Sequence, residues 1–328
     1  MNFEQLFTDF SRIKVAVLGD VMLDTYWWGN VERISPEAPV PVVSLVKKEQ
    51  RIGGAGNVAL NTVSLGAETF IISVIGNDDD GKHLTEHFQH HGINTEFLVE
   101  SGKRITTNKT RILSRNQQMM RLDEESTKDL STIEEGQLMN QVKFCFEKNK
   151  PDVLIFEDYN KGVLTKKIIN DVTALCKKYK VVTAVDPKRK NFFAYKTVDI
   201  FKPNLKEVKE GLNLLFEDLN IKSLNEVHFL LKEQLQHHIS FITLSERGVF
   251  FQTPQQSKII PTYIRNIADV SGAGDTVIAV ASLVYASTKD MALAADMANI
   301  AGGLVCEEVG TAAIDKQKLL NECNLLLK

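Results

Sequence analysis

The chain has 328 residues, 39 basic and 42 acidic side chains for a net charge of −3, with 43% hydrophobic and 25% charged residues. That composition supports a packed core, and the near-neutral balance argues against a protein that coats nucleic acid or a membrane surface. The four cysteines, Cys145, Cys176, Cys306 and Cys323, stand far apart without a C-x-x-C pair. Their spacing offers neither a disulfide framework nor a zinc knuckle and points to reduced thiols.

Residues 1–14 carry Glu4 and Asp9 and no sustained apolar stretch, unlike a signal peptide. From there a short β-branched run followed by a helical period recurs along the chain. Residues 15–18 read as a buried strand ending at Gly19, 54–65 as a helix and 69–75 as a strand. A helix over 79–91 is closed by Gly92. Strands follow at 153–156, 181–185, 199–201 and 239–244, with a helix from about 165 to 179 and two successive helices over 274–307. This alternation predicts a mostly parallel sheet covered on both faces. The longest apolar run, 277–286, is broken by Ser282 and falls short of the ~18 residues a membrane helix needs.

Two segments break the rhythm. Residues 25–46 hold Trp27, Trp28, Pro36, Pro39 and Pro41 with alternating Val40, Val42 and Ser44, and 105–123 alternate around a turn near Asn116. They predict a small β-sheet inserted into a single domain, 1–328, as a lid formed by segments about 21–50 and 100–125. No internal repeat or low-complexity linker divides the chain.

The strongest chemical motif is Asp269-Val-Ser-Gly-Ala-Gly-Asp275-Thr276, directly before the apolar helical stretch. Gly272, Ala273 and Gly274 let backbone amides crowd at a helix N-terminus, a ready anion site. Asp275 at the same turn is within reach of a hydroxyl that attacks the anion, the arrangement phosphoryl transfer requires. The plainer reading is a tight turn with an aspartate at a helix start, where aspartate is common.

These residues resemble the C-terminal signature of the ribokinase-like, or PfkB, sugar kinases. Gly53-Gly54-Ala55-Gly56-Asn57 stands where that family has a glycine-rich substrate loop. Gly19-Asp20-Val-Met-Leu-Asp24, Arg33-Ile-Ser-Pro-Glu-Ala-Pro-Val-Pro-Val42, Leu113-Ser-Arg-Asn-Gln-Gln118 and Arg121-Leu-Asp123 resemble its D-glycero-D-manno-heptose-7-phosphate kinase branch. The resemblance runs from about residue 14 to 313 and implies a three-layer α/β/α sandwich with a mostly parallel sheet and a β-lid.

By resemblance Asp275 is the catalytic base, and Gly272, Ala273 and Gly274 form the anion hole. Asn204-Leu205-Lys206-Glu207 is similar to the family's N-x-x-E element, in which Glu207 organises magnesium through water near the ATP phosphates. Ser245, Arg247 and Gly248 resemble its nucleotide turn, and Asn299 sits where the family approaches adenine. Asp20, Arg33, Gly53, Gly54, Asn57, Asp186 and Lys188 are expected at the sugar, with Asp24 either a further hydroxyl ligand or a solvated turn residue. Asp186-Pro187-Lys188 and Asp158-Tyr159-Asn160-Lys161-Gly162 end adjacent strands, as site loops at a parallel sheet's carboxyl edge do. Asp269 resembles part of a monovalent-cation site, which makes potassium a further candidate.

Lys109, Arg111 and Arg115 fall on one face of a strand by alternation. Like charges repel there unless an anion joins them, and a sugar phosphate would suit guanidinium forks. A solvated face that discourages edge pairing is the alternative. Gly54-Ala-Gly56-Asn-Val-Ala59 fits G-x-G-x-x-A, but a dinucleotide site needs a buried strand before it, and residues 47–51 are polar. His83, His87, His90 and His91 lack the glutamate and third ligand of a zinc site and read as imidazoles near a helix C-terminus, where positive charge is favoured. Asp78-Asp79-Asp80 reads as the entry to that helix rather than a calcium loop.

The resemblance therefore implies an ATP- and Mg2+-dependent kinase that phosphorylates the C1 hydroxyl of D-glycero-D-manno-heptose 7-phosphate. The 1,7-bisphosphate would feed ADP-heptose synthesis for lipopolysaccharide core or a related surface glycan. A cytoplasmic homodimer joined through the lid is expected, without nucleic-acid or membrane partners. Some relatives fuse this kinase to a nucleotidyltransferase; 328 residues leave no room for one, so a separate enzyme is expected to act next. A kinase for a neutral sugar or nucleoside, or a non-catalytic sugar- or nucleotide-binding regulator, are the alternatives.

Overall fold

The computed structural model describes residues 2–115, 117–214 and 219–327; the expected turn residue Asn116 lies outside them. Helix α1, Phe3–Asp9, leads into β1, Lys14–Gly19, whose side chains alternate between two apolar cores. Val15 and Val17 enter one core, Ala16 and Leu18 the other, as the two-residue period of a strand dictates. Two long strands follow, β2, Val21–Ile34, and β3, Pro41–Gly54, then α2, Ala55–Ser64, and β4, Glu68–Gly76. Helix α3, Asp79–His90, is capped by the Asp78 carboxylate on the Gly81 amide and precedes β5, Asn94–Ser101. A hairpin of β6, Thr107–Ser114, and β7, Gln117–Glu124, is followed by α4, Thr132–Asn149, with a Ser131–Glu134 capping box.

The second half runs β8, Val153–Glu157; α5, Lys166–Tyr179; β9, Val182–Asp186; β10, Ile200–Phe201; α6, Leu205–Leu212; and α7, Ile221–Leu235. It closes with β11, Ile239–Thr243; β12, Val249–Gln252; β13, Ser257–Ile260; α8, Ala273–Thr288; α9, Met291–Val305; and α10, Lys316–Leu326. The large sheet has the order β13-β12-β11-β10-β9-β8-β1-β4-β5, parallel except that β12 runs against both its neighbours, β11 and β13. Helices α1, α2, α3, α8, α9 and α10 pack on one face, and α4, α5, α6 and α7 on the other. This is the expected ribokinase-like three-layer α/β architecture.

A separate sheet, β3-β2-β6-β7, carries the two segments that broke the sequence rhythm. Strand β3 includes the polar run 47–51, which is exposed or half-buried in that small sheet. A strand does precede Gly54, then, but not the buried one a dinucleotide fingerprint requires. The four cysteines are buried and free. Among the described residues, no helix is long and apolar enough to cross a membrane.

Candidate active site

Parallel register brings functional side chains to one edge of the large sheet. Gly19 pairs with Glu157, and Glu157 with Asp186, at the carboxyl ends of β1, β8 and β9. Lys202 follows β10, its amide donating to the Val185 carbonyl at 2.9 Å. The N-terminus of α8 comes down on this edge, opened by Gly272 in the left-handed region at φ 78°.

Asp275, in the first turn of α8, is 4% exposed. The Asn57 amide donates to its Oδ2 at 2.8 Å and the Tyr159 hydroxyl to its Oδ1 at 2.7 Å. Asn61 and Thr276 lace α2 to α8 one turn further on, at 3.1 Å. Burial pushes Asp275 up to about 6; the two donors hold it down, Asp186 pushes it further up and Lys202 opposes that. A carboxylate in this range serves as a proton acceptor near neutral pH.

Glu157, Asp186 and Asp275 each place an oxygen within 4.8 Å of the others. Asp186 accepts from Lys202 Nζ at 2.7 Å and from Lys188 Nζ at 3.4 Å. Burial alone would raise its pKa, but the two ammonium groups hold it below the usual range. Glu157 is buried with neither oxygen hydrogen-bonded, and desolvation, with Asp186 and Asp275 as neighbours, drives its pKa well up. Such a carboxyl is carried as the neutral acid.

Next to this edge lies the N-x-x-E element. Asn204 caps α6 through the Glu207 amide at 2.8 Å while Glu207 Oε2 accepts from the Asn204 amide. Glu207 Oε1 takes the Lys188 ammonium at 2.8 Å. Leu205 and Lys206 open α6, and Asn204 bridges to Thr243 at the end of β11. The turn 245–248 follows, where Gly248 is required: at φ 93° an added Cβ would stand 2.0 Å from the Ile260 carbonyl oxygen. Asn299 on α9 is buried and donates to the Pro261 carbonyl at 2.9 Å.

The small sheet contributes a third cluster. Asp24 is buried rather than a solvated turn residue, and its Oδ1 takes Arg111 Nη1 at 2.6 Å. Gly53, which pairs with Met22 from the neighbouring β3, lies diagonal to Asp24, and a Cβ there would stand 2.4 Å from Asp24 Oδ2. The chain then passes through Gly54 to Asn57, linking this cluster to Asp275.

The other expected residues stand as follows. Lys109 is held by Asp123 at 3.3 Å and Glu125 at 3.1 Å, and Arg111 by Asp24, so protein carboxylates balance these cations. Arg115 is exposed beyond the end of β6 with φ 47°, off the strand face. Asp20 spends its oxygens on the amides of Tyr159, Lys161 and Val163 at 2.9–3.0 Å, anchoring the loop that carries Tyr159. Arg33 is exposed near the end of β2. Asp269 accepts from the Ser271 and Gly310 amides, both at 2.9 Å, bracing the turn before α8. Burial, with neighbouring imidazoles, lowers the pKa values of His87 and His91, contrary to the expected preference for positive charge at this helix end.

Sequence reasoning missed Glu157 and Lys202 and gave Tyr159 no role. The available signal was position: all three stand immediately at or after strand ends on the carboxyl edge.

Bifunctional protein HldE of Geobacter sulfurreducens is 38% identical over 97% of this chain, which spans 64% of that protein's length. Bifunctional protein HldE of Pelobacter propionicus is 37% identical over 98% of the chain and 66% of its own length. The chain thus spans slightly less than two thirds of these relatives. Among solved structures, Escherichia coli phosphofructokinase-2 in complex with fructose-6-phosphate superposes with TM-score 0.77 at 17% identity, covering 95% of this chain and 99% of that one. Arabidopsis thaliana ribokinase complexed with ribose and ATP gives TM-score 0.71 at 16% identity over 94% and 98%. At such identities the likeness establishes the fold, which is ribokinase-like. The description "pfkB family carbohydrate kinase" matches residues 12–318, and the chain belongs to that family of kinases.

Proposed function

We propose that this kinase transfers the γ-phosphoryl group of ATP to the C1 hydroxyl of D-glycero-D-manno-heptose 7-phosphate, giving the 1,7-bisphosphate. The observation that carries the phosphoryl-transfer chemistry is Asp275, buried in the first turn of α8 and hydrogen-bonded to Asn57 of the glycine loop. The heptose substrate is supported by 37–38% identity to two HldE proteins along nearly the whole chain. Asp275 takes the hydroxyl proton as the sugar oxygen bonds the γ-phosphorus. The bond from that phosphorus to the bridging oxygen breaks, and ADP leaves with the electron pair. Amides at Gly272, Ala273 and Gly274 face the developing charge. Asp24, Gly53, Gly54, Asn57 and Arg111 form the sugar side, while Asn204, Glu207, the 245–248 turn and Asn299 form the nucleotide side.

The hard carboxylate oxygens at the sheet edge suit magnesium. Glu207, with Asp186 beside it across Lys188, would hold the ion directly or through water, and bound magnesium would screen the triphosphate's charge. Asp269 is the candidate for a potassium contact; one similar fold is a phosphofructokinase-2 in complex with potassium.

The small sheet reads as a lid on a single domain, and exposed Ile34, Val46 and Met120 upon it favour a homodimer joined lid to lid. Cytoplasmic ATP and a product destined for ADP-heptose and surface glycan complete the reading.

A neutral sugar is the second reading, favoured because Lys109 and Arg111 already spend their charge on Asp123, Glu125 and Asp24. A phosphate-transfer assay over sugars and sugar phosphates, with the phosphate position read by NMR, separates the two. Turnover confined to unphosphorylated sugars would select the second reading, and no turnover on any sugar would leave a binding protein.

A further inference from the structure

We propose that Arg51 is a positioning residue: its side chain clamps the glycine loop to the turn before α8, and so sets the sugar hydroxyl in line with the phosphoryl group it attacks. The proposal rests on the phosphoryl-transfer reading of the Asp275 site.

Arg51 stands on β3, shortly before Gly53 and Gly54. Its Nε donates to Glu49 Oε1 at 2.6 Å, and its Nη1 donates to the Val309 carbonyl at 2.7 Å and the Thr311 carbonyl at 3.3 Å. The guanidinium carbon lies 5.0 Å from the centre of the buried Tyr26 ring. The loop comes so close that a Cβ on Gly310 would stand 2.6 Å from Nη1. A guanidinium fork reaches a carboxylate and two carbonyls at once, which the single ammonium of a lysine does not.

Residues 306–315, between α9 and α10, form neither helix nor strand, so the shape of this loop depends on the partners its backbone groups find. Among the described residues, Arg51 is the donor to the Val309 and Thr311 carbonyls. Between them, the Gly310 amide is held by one oxygen of Asp269, whose other oxygen holds Ser271. Thr311 Cγ2 lies 3.4 Å from the point where a Cβ on Gly272 would stand. The loop therefore backs the turn that opens α8 and carries Asp275.

Beyond Arg51 the same strand runs through Gly53 and Gly54 into α2, where Asn57 donates to Asp275. Arg51 thus joins the two segments that meet at the base, the glycine loop through its backbone and the support of the α8 turn through its side chain. It need touch neither sugar nor nucleotide to do so. Transfer requires the attacking oxygen and the phosphorus in line, and a misplacement of about 1 Å costs on the order of 10²-fold. Losing the clamp should therefore slow the chemical step and leave the binding of each substrate largely intact.

Arg51→Ala in the full chain should lower kcat on the sugar that wild type uses best by roughly 10- to 100-fold. Affinities for that sugar and for AMP-PNP with Mg2+, measured by titration calorimetry, should stay within about threefold of wild type. The side chain is 26% exposed beside a cavity of about 340 Å³ lined by Leu60, Val63, His91 and Thr311, so a small cation can enter the space it leaves. Guanidinium ion, well below denaturing concentrations, should restore part of kcat in a saturable way. Sodium chloride at the same ionic strength and constant potassium should not. Arg51→Lys keeps the charge without the fork, should fall between Ala and wild type with the same split, and covers an Ala variant that fails to fold. Unchanged kcat in both variants would overturn the proposal. So would affinity losses as large as the loss in kcat, or an Ala variant that guanidinium does not rescue, since either marks Arg51 as a support of the fold alone. Wild-type protein that turns over no sugar would instead remove the phosphoryl-transfer reading, and this proposal with it.

Discussion

Replacing Asp275 by asparagine should separate catalysis from stability in opposite directions. The amide preserves size at the helix start but cannot accept the hydroxyl proton, so kcat should fall roughly 10²- to 10⁴-fold, the usual worth of a positioned base. Stability should move the other way. Asp275 titrates at about 6 in the folded chain against an ordinary 3.8, because burial disfavours its charge. With the folded value above the unfolded one, the protonated form is the stabilised form. That stability is fully present below about pH 3.8 and is lost as pH rises through about 6. The loss is worth about 3 kcal/mol near pH 8 and about half of that near pH 5, at roughly 1.4 kcal/mol per unit. An asparagine does not ionise and escapes it, giving up on the order of 1 kcal/mol if one of the two hydrogen bonds is lost. The variant should therefore match or exceed wild-type stability near pH 5 and exceed it by about 2 kcal/mol near pH 8. Denaturant unfolding at the two pH values, with kcat on the preferred sugar, is the assay. Wild-type kcat would remove Asp275 from the chemistry, and a stability gap that ignores pH would refute the assigned burial cost.

Tyr159→Phe removes a hydrogen bond that favours the Asp275 carboxylate, so the acid limb of kcat/KM against pH should move up by about one to two units; an unmoved limb would detach Tyr159 from the base. Glu207→Gln should raise the magnesium concentration needed for half-maximal rate and lower kcat, whereas an unchanged magnesium titration at normal stability would reduce Glu207 to the cap of α6. Arg111→Ala should cost roughly 10- to 150-fold in kcat/KM on heptose 7-phosphate and far less on unphosphorylated heptose, if the guanidinium exchanges Asp24 for the sugar's phosphate. Equal losses on both sugars would instead show that Arg111 serves only to hold Asp24. Val46→Glu, on a side chain 73% exposed, should shift a lid-joined dimer toward monomer in analytical ultracentrifugation. An unaltered dimer would place the interface elsewhere.

The alternating strands and helices were legible because a strand buried on both faces, such as β1 or β8, reads as an unbroken apolar run. Helix α8 was equally plain, being apolar nearly all round after its glycines. Helix α4 escaped because its periodicity is blurred: Ile133 and Phe144 are exposed while Glu134 is buried as a capping residue. Strand β3 was cut short at its polar run, since an exposed small sheet imposes no apolar pattern on residues 47–51.

The site divides along the same line. The glycine loop, the Asp275 turn and the N-x-x-E element are local, set by backbone conformations and caps that neighbouring residues dictate, so the sequence alone determined them. Partnership across the fold was decided only by tertiary structure. Charge alternation put Lys109, Arg111 and Arg115 together as free cations, yet Asp24, Asp123 and Glu125 arrive from other strands and loops to neutralise two of them. Asp20 and Asp24 are four residues apart with the same chemistry. Only the sheet register turns one toward the amides of a distant loop and the other toward Arg111. Lys202 reads in sequence as one lysine among many; parallel pairing of β8, β9 and β10 sets it beside Asp186 and under α8. Long-range pairing fixes such contacts because the energy of a buried charge depends on what surrounds it, and that is not encoded in its sequence neighbours.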